Sequence, residues 1–258
     1  MRASRPCWPS SRGSLSPSRS KRENSVSPAQ RPTGPKPGTA TINWGSGCGT
    51  PWRASALLPS MIPSPACFAA LGHGISDVDT ANPHAPGNRE HHEGHGVLDV
   101  KKGLSGEPGE LHGVFDLQHD LGTLYANTQQ GIFGTLDDKA LVQNGQGVEI
   151  ASRDQVHTGK ATILSNIAGD QVEEYEIEIL TLYPESSGDT RNLMIQVTDP
   201  RLLETTGGIV QGMSGSPILQ DGRLVGAVTH VLINEPSRGY GILAENMVKT
   251  AQSSAKAA

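Results

Sequence analysis

TGGIVQGMSGSPILQDGRLVGAVTHV, the stretch from Thr206 to Val231, combines strand-forming residues with six glycines and two serines. Because glycine weakens a strand, so many of them indicate tight turns and close backbone approaches between short strands. Asp221-Gly222 stands between two apolar runs and predicts a two-residue hairpin. Ser214 has glycines on both sides in GMSGSP, and these permit the sharp turn that exposes a serine nucleophile beside backbone N–H groups. A plain Gly/Ser turn between strands is the alternative that this stretch leaves open.

The rest of the chain predicts an all-β fold. From Cys67 onwards, short apolar runs are separated by glycine or by Asp/Asn turns. In EEYEIEILTL the apolar residues alternate with glutamates, which is typical of a strand with one buried and one wet face. Strands are predicted at residues 68–73, 96–102, 111–117, 122–128, 145–152, 160–167, 173–183, 192–198, 216–220, 223–230 and 239–244, and a helix at about 245–256. Many short strands at this spacing favour a closed barrel or a sandwich.

Composition divides the chain into two parts. Residues 1–66 contain nine Lys or Arg, one acidic residue and eleven of the 18 prolines, whereas the remainder has 12 Lys or Arg against 25 Asp or Glu. Low hydrophobicity and the absence of a period predict disorder over residues 1–66 and a folded domain over residues 67–258. The acidic part has no basic stripe interleaved with aromatic residues, which argues against nucleic acid as a partner.

Two further classes of protein find no support in the sequence. There is no run of 18 apolar residues and no apolar leader, so we expect neither a membrane span nor a signal peptide in this chain. The three cysteines are odd in number and lack CxxC spacing, so they indicate neither a zinc site nor a disulfide framework and leave the compartment open.

A serine nucleophile needs a general base, and nine histidines are candidates. His73 lies between two glycines at the end of a small apolar strand, a rigid position with open access. His230 ends the strand after the serine turn and could equally be a core or a pocket-wall histidine. Five other histidines cluster in NPHAPGNREHHEGHGVL…LH, where prolines and glycines prevent the helical i,i+4 face of a zinc-binding pair. We interpret this cluster as a polar surface loop and expect no metal site; its members are His84, His91, His92, His95 and His112.

The carboxylate that would orient the base has three candidates. Asp199 follows an apolar strand and precedes Ser214 by 15 residues, whereas Asp77 and Asp79 lie close to His73 in the sequence. The segment SDVDT reads equally well as an Asx turn. Composition alone does not choose among the three.

Two stretches, FAALGHGISDVDT (68–80) and VTDPRLLETTGGIVQGMSGSPILQDGRLVGAVTHVLINEPSRGYGI (197–242), closely resemble the stage IV B sporulation peptidase family. These are serine endopeptidases of endospore-forming bacteria, and the resemblance covers about residues 67–250. It implies a chymotrypsin-like double β-barrel, a triad in the order His–Asp–Ser, and no metal or organic cofactor. On matching positions, Ser214 would be the nucleophile, His73 the general base and Asp199 its orienter. The backbone N–H groups of Gly212 and Ser214 would form the oxyanion hole.

The residues after the serine turn are less decisive. Thr229 and His230 are candidates for the wall of the substrate pocket. The segment VGAVTHV that contains them is also an ordinary strand, and we favour that simpler interpretation.

The resemblance also implies a biological role. Such peptidases are secreted from the forespore into the space between the two spore membranes. There they cut themselves and a membrane-bound regulator of an intramembrane protease, which activates processing of the late sigma factor. Family members normally carry an N-terminal membrane anchor and a PDZ domain, and neither is visible in this sequence.

The first quarter of the chain departs from the family in a specific way. Residues 48–63, CGTPWRASALLPSMIP, stand where family members usually have a segment like VRDSMAGIGTLTFYDP. With permitted codons, a shift of the frame back by one nucleotide converts the first segment into the second, and the single codons of Trp52 and Met61 constrain the fit. We therefore hypothesise that residues 1 to about 66 are an out-of-frame translation. The lost segment would supply early strands, so we expect the first barrel to be incomplete, with an unpaired edge.

Alternatives in other classes remain. One is a catalytically inactive remnant or binding module that keeps the fold. The other is a plastid-targeted trypsin-like protease, for which the Arg- and Ser-rich N-terminus is the only support, since eleven prolines oppose the amphipathic helix of a transit peptide. The nucleotide sequence of the gene distinguishes a frameshift from a transit peptide.

Overall fold

The computed structural model describes residues 39–43, 56–59, 66–75, 92–120, 122–136, 146–168, 171–184 and 190–255. Strands dominate these ranges, with one short and one longer α-helix. The strands are β1 (Thr39–Asn43), β2 (Ala56–Pro59), β3 (Ala66–Ala70), β4 (His92–Lys101), β5 (Glu110–Asp120), β6 (Gly122–Thr128), β7 (Gly131–Leu136), β8 (Gln146–Ile150), β9 (Gly159–Ser165), β10 (Glu173–Leu182), β11 (Leu193–Val197), β12 (Pro217–Gln220), β13 (Arg223–Val231) and β14 (Arg238–Leu243). The helices are α1 (Pro200–Thr206) and α2 (Ala244–Ser254), and a 3-10 turn spans Arg153–Gln155.

Six strands close into a barrel. Their order is β12-β9-β10-β11-β14-β13, and β13 pairs back with β12, so the sheet has no free edge at this point. All neighbouring pairs within the barrel are antiparallel. Strand β8 joins β13 in a parallel pairing, and β1 and β2 continue the sheet beyond β8. The predicted all-β fold with a closed barrel is confirmed.

Alternating side chains build the barrel core. In β10, Tyr175, Ile177 and Ile179 are buried and the intervening glutamates face water, as the sequence pattern predicts. In β12–β13, the predicted hairpin has Asp221 at φ 52° and Gly222 at φ 71°, the two positive values that a type I′ turn requires. This turn brings β13 back across the start of β12, next to Ser214.

The N-terminal half forms two smaller sheets. Strands β3, β7 and β6 pair in the order β3-β7-β6, and β4 pairs with β5 as a separate two-stranded ribbon. Among the described residues these strands do not close into a second barrel, and the incompleteness of the first barrel stays a prediction. Ala69 and Phe133 pack with Ile242 and Met247 in one buried cluster, so β14 and α2 hold the small sheet against the closed barrel. This packing brings the end of β3 towards the serine turn.

Each of the eleven predicted strands corresponds to an observed strand, with ends that differ by a few residues, and the predicted C-terminal helix is α2. Three strands and one helix were missing from the prediction, namely β1, β2, β7 and α1. Strand β7, GIFGTL, has glycines that interrupt its apolar pattern, and α1 has only seven residues, although Asp199 and Gly207 cap its two ends. The short β1 and β2 lie within residues 1–66, where the composition predicts disorder; they pair with each other, and β1 also pairs with β8.

The other residues before Ala66 lie outside the described part, so the disorder prediction for them stays a prediction. Among the described residues, no helix has the length and apolar character needed to cross a bilayer.

Candidate active site

Ser214 lies on a tight turn between α1 and β12. Gly212 and Gly215 adopt φ values of 98° and 87°, in the left-handed region that favours glycine, so the glycines predicted to shape this turn do so. Met213 between them is 1% exposed and anchors the turn in the barrel core. Pro217 then begins β12.

The backbone N–H groups of this turn divide into two sets. The Met213 N–H donates to the Val210 carbonyl at 3.2 Å, and the Gly215 N–H donates to the Val228 carbonyl at 2.8 Å. The Ser216 N–H donates to the Met213 carbonyl at 3.0 Å. Within the described part of the chain, the N–H groups of Gly212 and Ser214 donate to no backbone carbonyl. An oxyanion hole needs donors that are held in place and still available. The two predicted donors are the two that this turn leaves available.

Thr229 connects Ser214 with the turn that carries His73. The Ser214 hydroxyl donates to the Thr229 carbonyl at 3.0 Å, and the Thr229 hydroxyl donates to the Tyr240 carbonyl at 3.1 Å. A Cβ added at Gly72 would lie 2.7 Å from Cγ2 of Thr229, so the two segments are in direct contact. Ser214 and His73 therefore flank one buried residue, and Thr229 joins the two rather than forming an open pocket wall.

His73 follows β3 on a strained turn. Leu71 has φ 65° and Gly72 has φ 70°. A leucine in the left-handed region costs about 1–2 kcal/mol, and backbone strain of this kind concentrates at functional sites. These φ values turn the chain sharply after the end of β3, and His73 directly follows this turn.

The hydrogen bond of His73 fixes its tautomer. Nδ1 of His73 lies 2.9 Å from the carbonyl oxygen of Gly74. Because a carbonyl only accepts, this contact requires a proton on Nδ1, and in the neutral ring the lone pair is then on Nε2. This is the tautomer that a general base needs. Among the described residues His73 makes no hydrogen bond to Ser214, whose hydroxyl is directed to Thr229.

His230 stands beside His73, with ring centroids 5.6 Å apart and ring planes at 48°. Desolvation lowers the pKa of His230, and the neighbouring His73 and Arg191 lower this pKa further. The lowered pKa keeps His230 neutral at neutral pH, so it adds no positive charge beside the candidate base. His230 is exposed and lies opposite Tyr240 in the β13–β14 pairing, which places it on the surface next to the site.

Asp199 occupies a different position from the one predicted. Its carboxylate caps α1 by accepting from the backbone N–H of Arg201 at 2.9 Å, and it also accepts from the Arg201 guanidinium and from the Glu176 N–H. No described contact joins Asp199 to His73. Asp199 lies at the start of α1 because Asp-Pro is a strong helix start, and here its carboxylate is used by the helix. The role of Asp199 as the orienter of the base stays a prediction.

Asp199 should consequently contribute to stability. The side-chain hydrogen bond from Arg201 holds the pKa of Asp199 below its ordinary value of 3.8. The bonds of the ionised Asp199 carboxylate therefore stabilise the folded state fully above about pH 3.8, and this contribution is lost as the pH falls further and the carboxylate takes up a proton. We expect Asp199→Ala to lower the free energy of unfolding by about 0.5–2 kcal/mol at pH 7, from the lost cap alone. Urea unfolding should show the difference from wild type shrinking below pH 4; a difference independent of pH would contradict the assignment.

The ribbon tip, residues 102–111, holds the segment just before the oxyanion donors. The Gln211 N–H donates to the Gly109 carbonyl and the Leu111 N–H donates to the Gln211 carbonyl, both at 2.9 Å. Leu111 is buried in the same core cluster as Met213. Gln211 is thus fixed on both sides one residue before Gly212, which limits how the turn can move. Nothing in the sequence pattern indicated this contact, because it joins residues about 100 positions apart.

Gly109→Ala should disturb this arrangement. The added Cβ would lie 2.6 Å from both the Lys101 carbonyl oxygen and Cγ1 of Val210, and it would also press on the Gly103 nitrogen. We expect modification of Ser214 by a fluorophosphonate to slow by on the order of 10-fold, because small displacements of catalytic groups are costly. Gly106→Ala controls for backbone strain in the same ribbon, since its φ of 85° disfavours alanine but no atom lies within 4 Å of its added Cβ. Equal rates for both variants would show that the tip does not affect the turn.

The remaining sequence candidates do not join this site. Asp77, Asp79, His84 and His91 lie outside the described residues, as do the side chains of His92 and His95. His112 is exposed, and its Nε2 lies 3.9 Å from Oε2 of Glu110. Over the described ranges, no three His, Cys, Asp or Glu side chains converge as a metal site would require. A groove of about 520 Å³ lies on the barrel surface near Glu174 and Asp221, and none of the candidate catalytic residues lines it.

A serine with two available N–H donors, a histidine in the base tautomer and a closed antiparallel barrel define a serine peptidase of the chymotrypsin-like class. The model of the family described as SpoIVB peptidase S55 matches residues 58–248, and the chain belongs to this family of serine endopeptidases. The predicted relation to the stage IV B sporulation peptidases is confirmed. The match begins inside the segment hypothesised to be out of frame, and that hypothesis stays a prediction.

Two solved structures are similar to this chain at low sequence identity. The active form of the Rv3671c protease from M. tuberculosis is 14% identical, with 85% of this chain and 81% of that chain covered and a TM-score of 0.39. Human heparin binding protein is 12% identical, with 83% and 89% covered and a TM-score of 0.36. No individual curated protein matches the chain.

Proposed function

We propose that this protein is a serine endopeptidase in which Ser214 is the nucleophile, His73 the general base, and the N–H groups of Gly212 and Ser214 the oxyanion hole. The observation that carries the proposal is the serine turn, where no backbone carbonyl of the described residues accepts from the two N–H groups needed for an oxyanion. The Nδ1–Gly74 hydrogen bond supports His73 as the base, because it leaves Nε2 able to accept a proton.

The reaction follows from these groups. The Ser214 hydroxyl leaves the Thr229 carbonyl, at a net cost of about 0.5–1.5 kcal/mol, and turns towards Nε2 of His73. Nε2 takes the hydroxyl proton as Oγ attacks the peptide carbonyl, and the resulting oxyanion accepts hydrogen bonds from Gly212 and Ser214. His73 gives its proton to the leaving amine. Water then releases the acyl group by the same steps, with His73 as base again.

Family membership supports a finer proposal for the biological role. The substrates would be the protein itself and a membrane-bound regulator of an intramembrane protease, and the cleavage would activate processing of a late sporulation sigma factor. The site of action would be the space between the two spore membranes. No cofactor takes part in this scheme, because proton transfer and the oxyanion hole supply all the chemistry.

Self-cleavage provides the first test. Concentrated wild-type protein incubated at neutral pH should produce discrete fragments whose new N-termini can be sequenced. Ser214→Ala should remain intact under the same conditions, and adding wild type to the alanine variant should restore its cleavage. Fragments that form equally in both proteins when incubated separately would identify a contaminating protease and contradict the proposal.

A binding module with the same fold is the second candidate. Its support is the present arrangement of the two side chains, in which Ser214 donates to Thr229 and His73 donates to Gly74 instead of interacting with each other. Catalytic hydrogen bonds are often absent before substrate binds, so this arrangement is compatible with both candidates. A folded wild-type sample that neither cleaves itself nor reacts with a fluorophosphonate would favour the binding module.

A further inference from the structure

A row of side chains leads from His73 across the outer face of the closed barrel. His230 lies beside His73, with ring centroids 5.6 Å apart. Tyr240 lies opposite His230 in the antiparallel pairing of β13 with β14, and side chains at opposite positions share one face of a sheet, with Cβ atoms about 4.5–5.5 Å apart. Cζ of Arg191 lies over the Tyr240 ring, 5.0 Å from its centroid. The row therefore connects the candidate base to a cation through two aromatic rings.

The backbone beside Arg191 is firmly held. The next residue, Asn192, is 2% exposed, and its N–H donates to the Gly241 carbonyl at 2.9 Å while its carbonyl accepts from the Tyr183 N–H at 2.9 Å. The side-chain oxygen of Asn192 accepts from the Leu243 N–H at 3.0 Å. Arg191 thus extends from a fixed point of the barrel. A charged group on such a support loses less conformational entropy when it binds a ligand.

The position of Arg191 over Tyr240 decides which chemistry this row offers. A guanidinium has five N–H donors spread around its plane, so contact with an aromatic ring leaves donors for a planar acceptor such as a carboxylate. Arg191 is exposed, so such an acceptor can reach it from solvent. The guanidinium also covers part of the Tyr240 ring, which leaves less ring surface for an apolar ligand.

The charge of Arg191 extends to the candidate catalytic site. It contributes to the lowered pKa of His230, although desolvation is the largest cause of that shift. Because His230 is neutral at neutral pH, it does not compete with Arg191 for an acidic group. The row therefore presents one fixed positive charge, at a defined distance from His73, to any chain that lies across β13 and β14.

We propose that Arg191, supported by Tyr240 and His230, is a specificity-determining residue that binds the side-chain carboxylate of an aspartate or glutamate in the substrate. This proposal rests on the function proposed above. The row consists of about three steps of about 5 Å each, and an extended peptide advances about 3.3 Å per residue. The acidic residue therefore lies about three or four positions from the scissile bond. The substrate class is a protein segment with an acidic residue at that distance.

Cleavage of a peptide library by the wild-type protein provides the first part of the test. A library made by digesting a bacterial proteome reports which residues are preferred at each position around the cut. We expect aspartate and glutamate to be enriched at one position about three or four residues from the cut. Two peptides are then synthesised from the preferred sequence, identical except for glutamate or glutamine at that position.

The ratio of kcat/KM for the glutamate peptide to that for the glutamine peptide measures the recognition. We expect a ratio on the order of 10 at low salt, the size expected of one hydrogen bond between charged groups. The ratio should fall as salt screens the charge of Arg191. Because both peptides are compared on one protein sample, a partial loss of folded protein does not change the ratio.

Variants at position 191 separate recognition from packing. Arg191→Gln should bring the ratio close to one, and Arg191→Glu should make the glutamine peptide the better substrate. Arg191→Lys should keep much of the preference, because it keeps the charge. Lys160→Gln is the matched control and should keep the wild-type ratio, since it removes the same charge from the groove that none of the candidate catalytic residues lines.

The outcomes distinguish the subsite from the enzyme. A wild type that cleaves peptides without an acidic preference would overturn the proposal, as would an unchanged ratio in Arg191→Gln or an equal loss in Lys160→Gln. Enrichment of aromatic or aliphatic residues at that position would assign the row to an apolar side chain and overturn it too. If neither Arg191→Gln nor Arg191→Glu folds, a wild-type ratio that does not fall with salt would overturn it. A folded wild type that cleaves no peptide would refute the proposed function itself.

Discussion

His73→Ala should slow the reaction of Ser214 with a fluorophosphonate by on the order of 1,000-fold, because a general base contributes about 100- to 10,000-fold to such reactions. Asp199→Asn tests the predicted orienter of the base, whose carboxylate bonds Arg201 and Glu176 in this structure. Where a carboxylate orients the base, its replacement by asparagine costs about 10,000-fold, since the imidazole takes the wrong tautomer. A loss of less than about 10-fold would limit Asp199 to capping α1.

The asparagine variant suits this comparison because asparagine is as good a helix cap as aspartate. Helix α1 should therefore persist, and any loss of rate would report on catalysis rather than on folding. Thermal unfolding of both variants provides the control for stability. A loss in Asp199→Asn comparable to that in His73→Ala would place Asp199 in the triad with His73 and Ser214.

Leu193→Ala in β11 should lower the free energy of unfolding by about 2–5 kcal/mol. Leu193 is 0% exposed and belongs to the main core cluster of the closed barrel. Its removal leaves a cavity among β-strands that are paired on both sides and cannot collapse freely. Urea unfolding monitored by circular dichroism measures the change.

Leu98→Ala is the matched control, because the same substitution falls on a side chain that is 71% exposed. We expect it to change the free energy of unfolding by no more than about 0.5 kcal/mol. A similar loss in both variants, or no loss in Leu193→Ala, would show that the closed barrel is not the cooperative folding unit.

Local patterns were sufficient to predict most of the barrel. Alternation in β10 and the Asp221-Gly222 turn depend on neighbours in sequence, and both appear in the structure as predicted. The serine turn was equally readable, because glycines at positions 212 and 215 are needed for its positive φ values. Strand β7 escaped prediction because its glycines interrupt the alternation on which strand prediction relies.

The parts of the site that escaped prediction depend on contacts between distant segments. Asp199 matched the family position for an orienting carboxylate, yet Asp-Pro before a short helix is also a capping signal, and the structure uses it in that way. No sequence pattern indicated the contact between His73 and the Gly74 carbonyl, since a backbone oxygen is present at every residue. The contact of Asn127 in β6 with Ile75 in the loop after His73 is likewise visible only in the packed structure.

The most direct measurement is the mapping of the fluorophosphonate adduct on folded wild-type protein by mass spectrometry, as a function of pH. We predict a single adduct on Ser214, with a rate that rises with pH as general-base catalysis requires, and no adduct on Ser214→Ala. An adduct on another residue, or none at all on the folded wild type, would contradict the assignment of Ser214 and His73 as the catalytic pair.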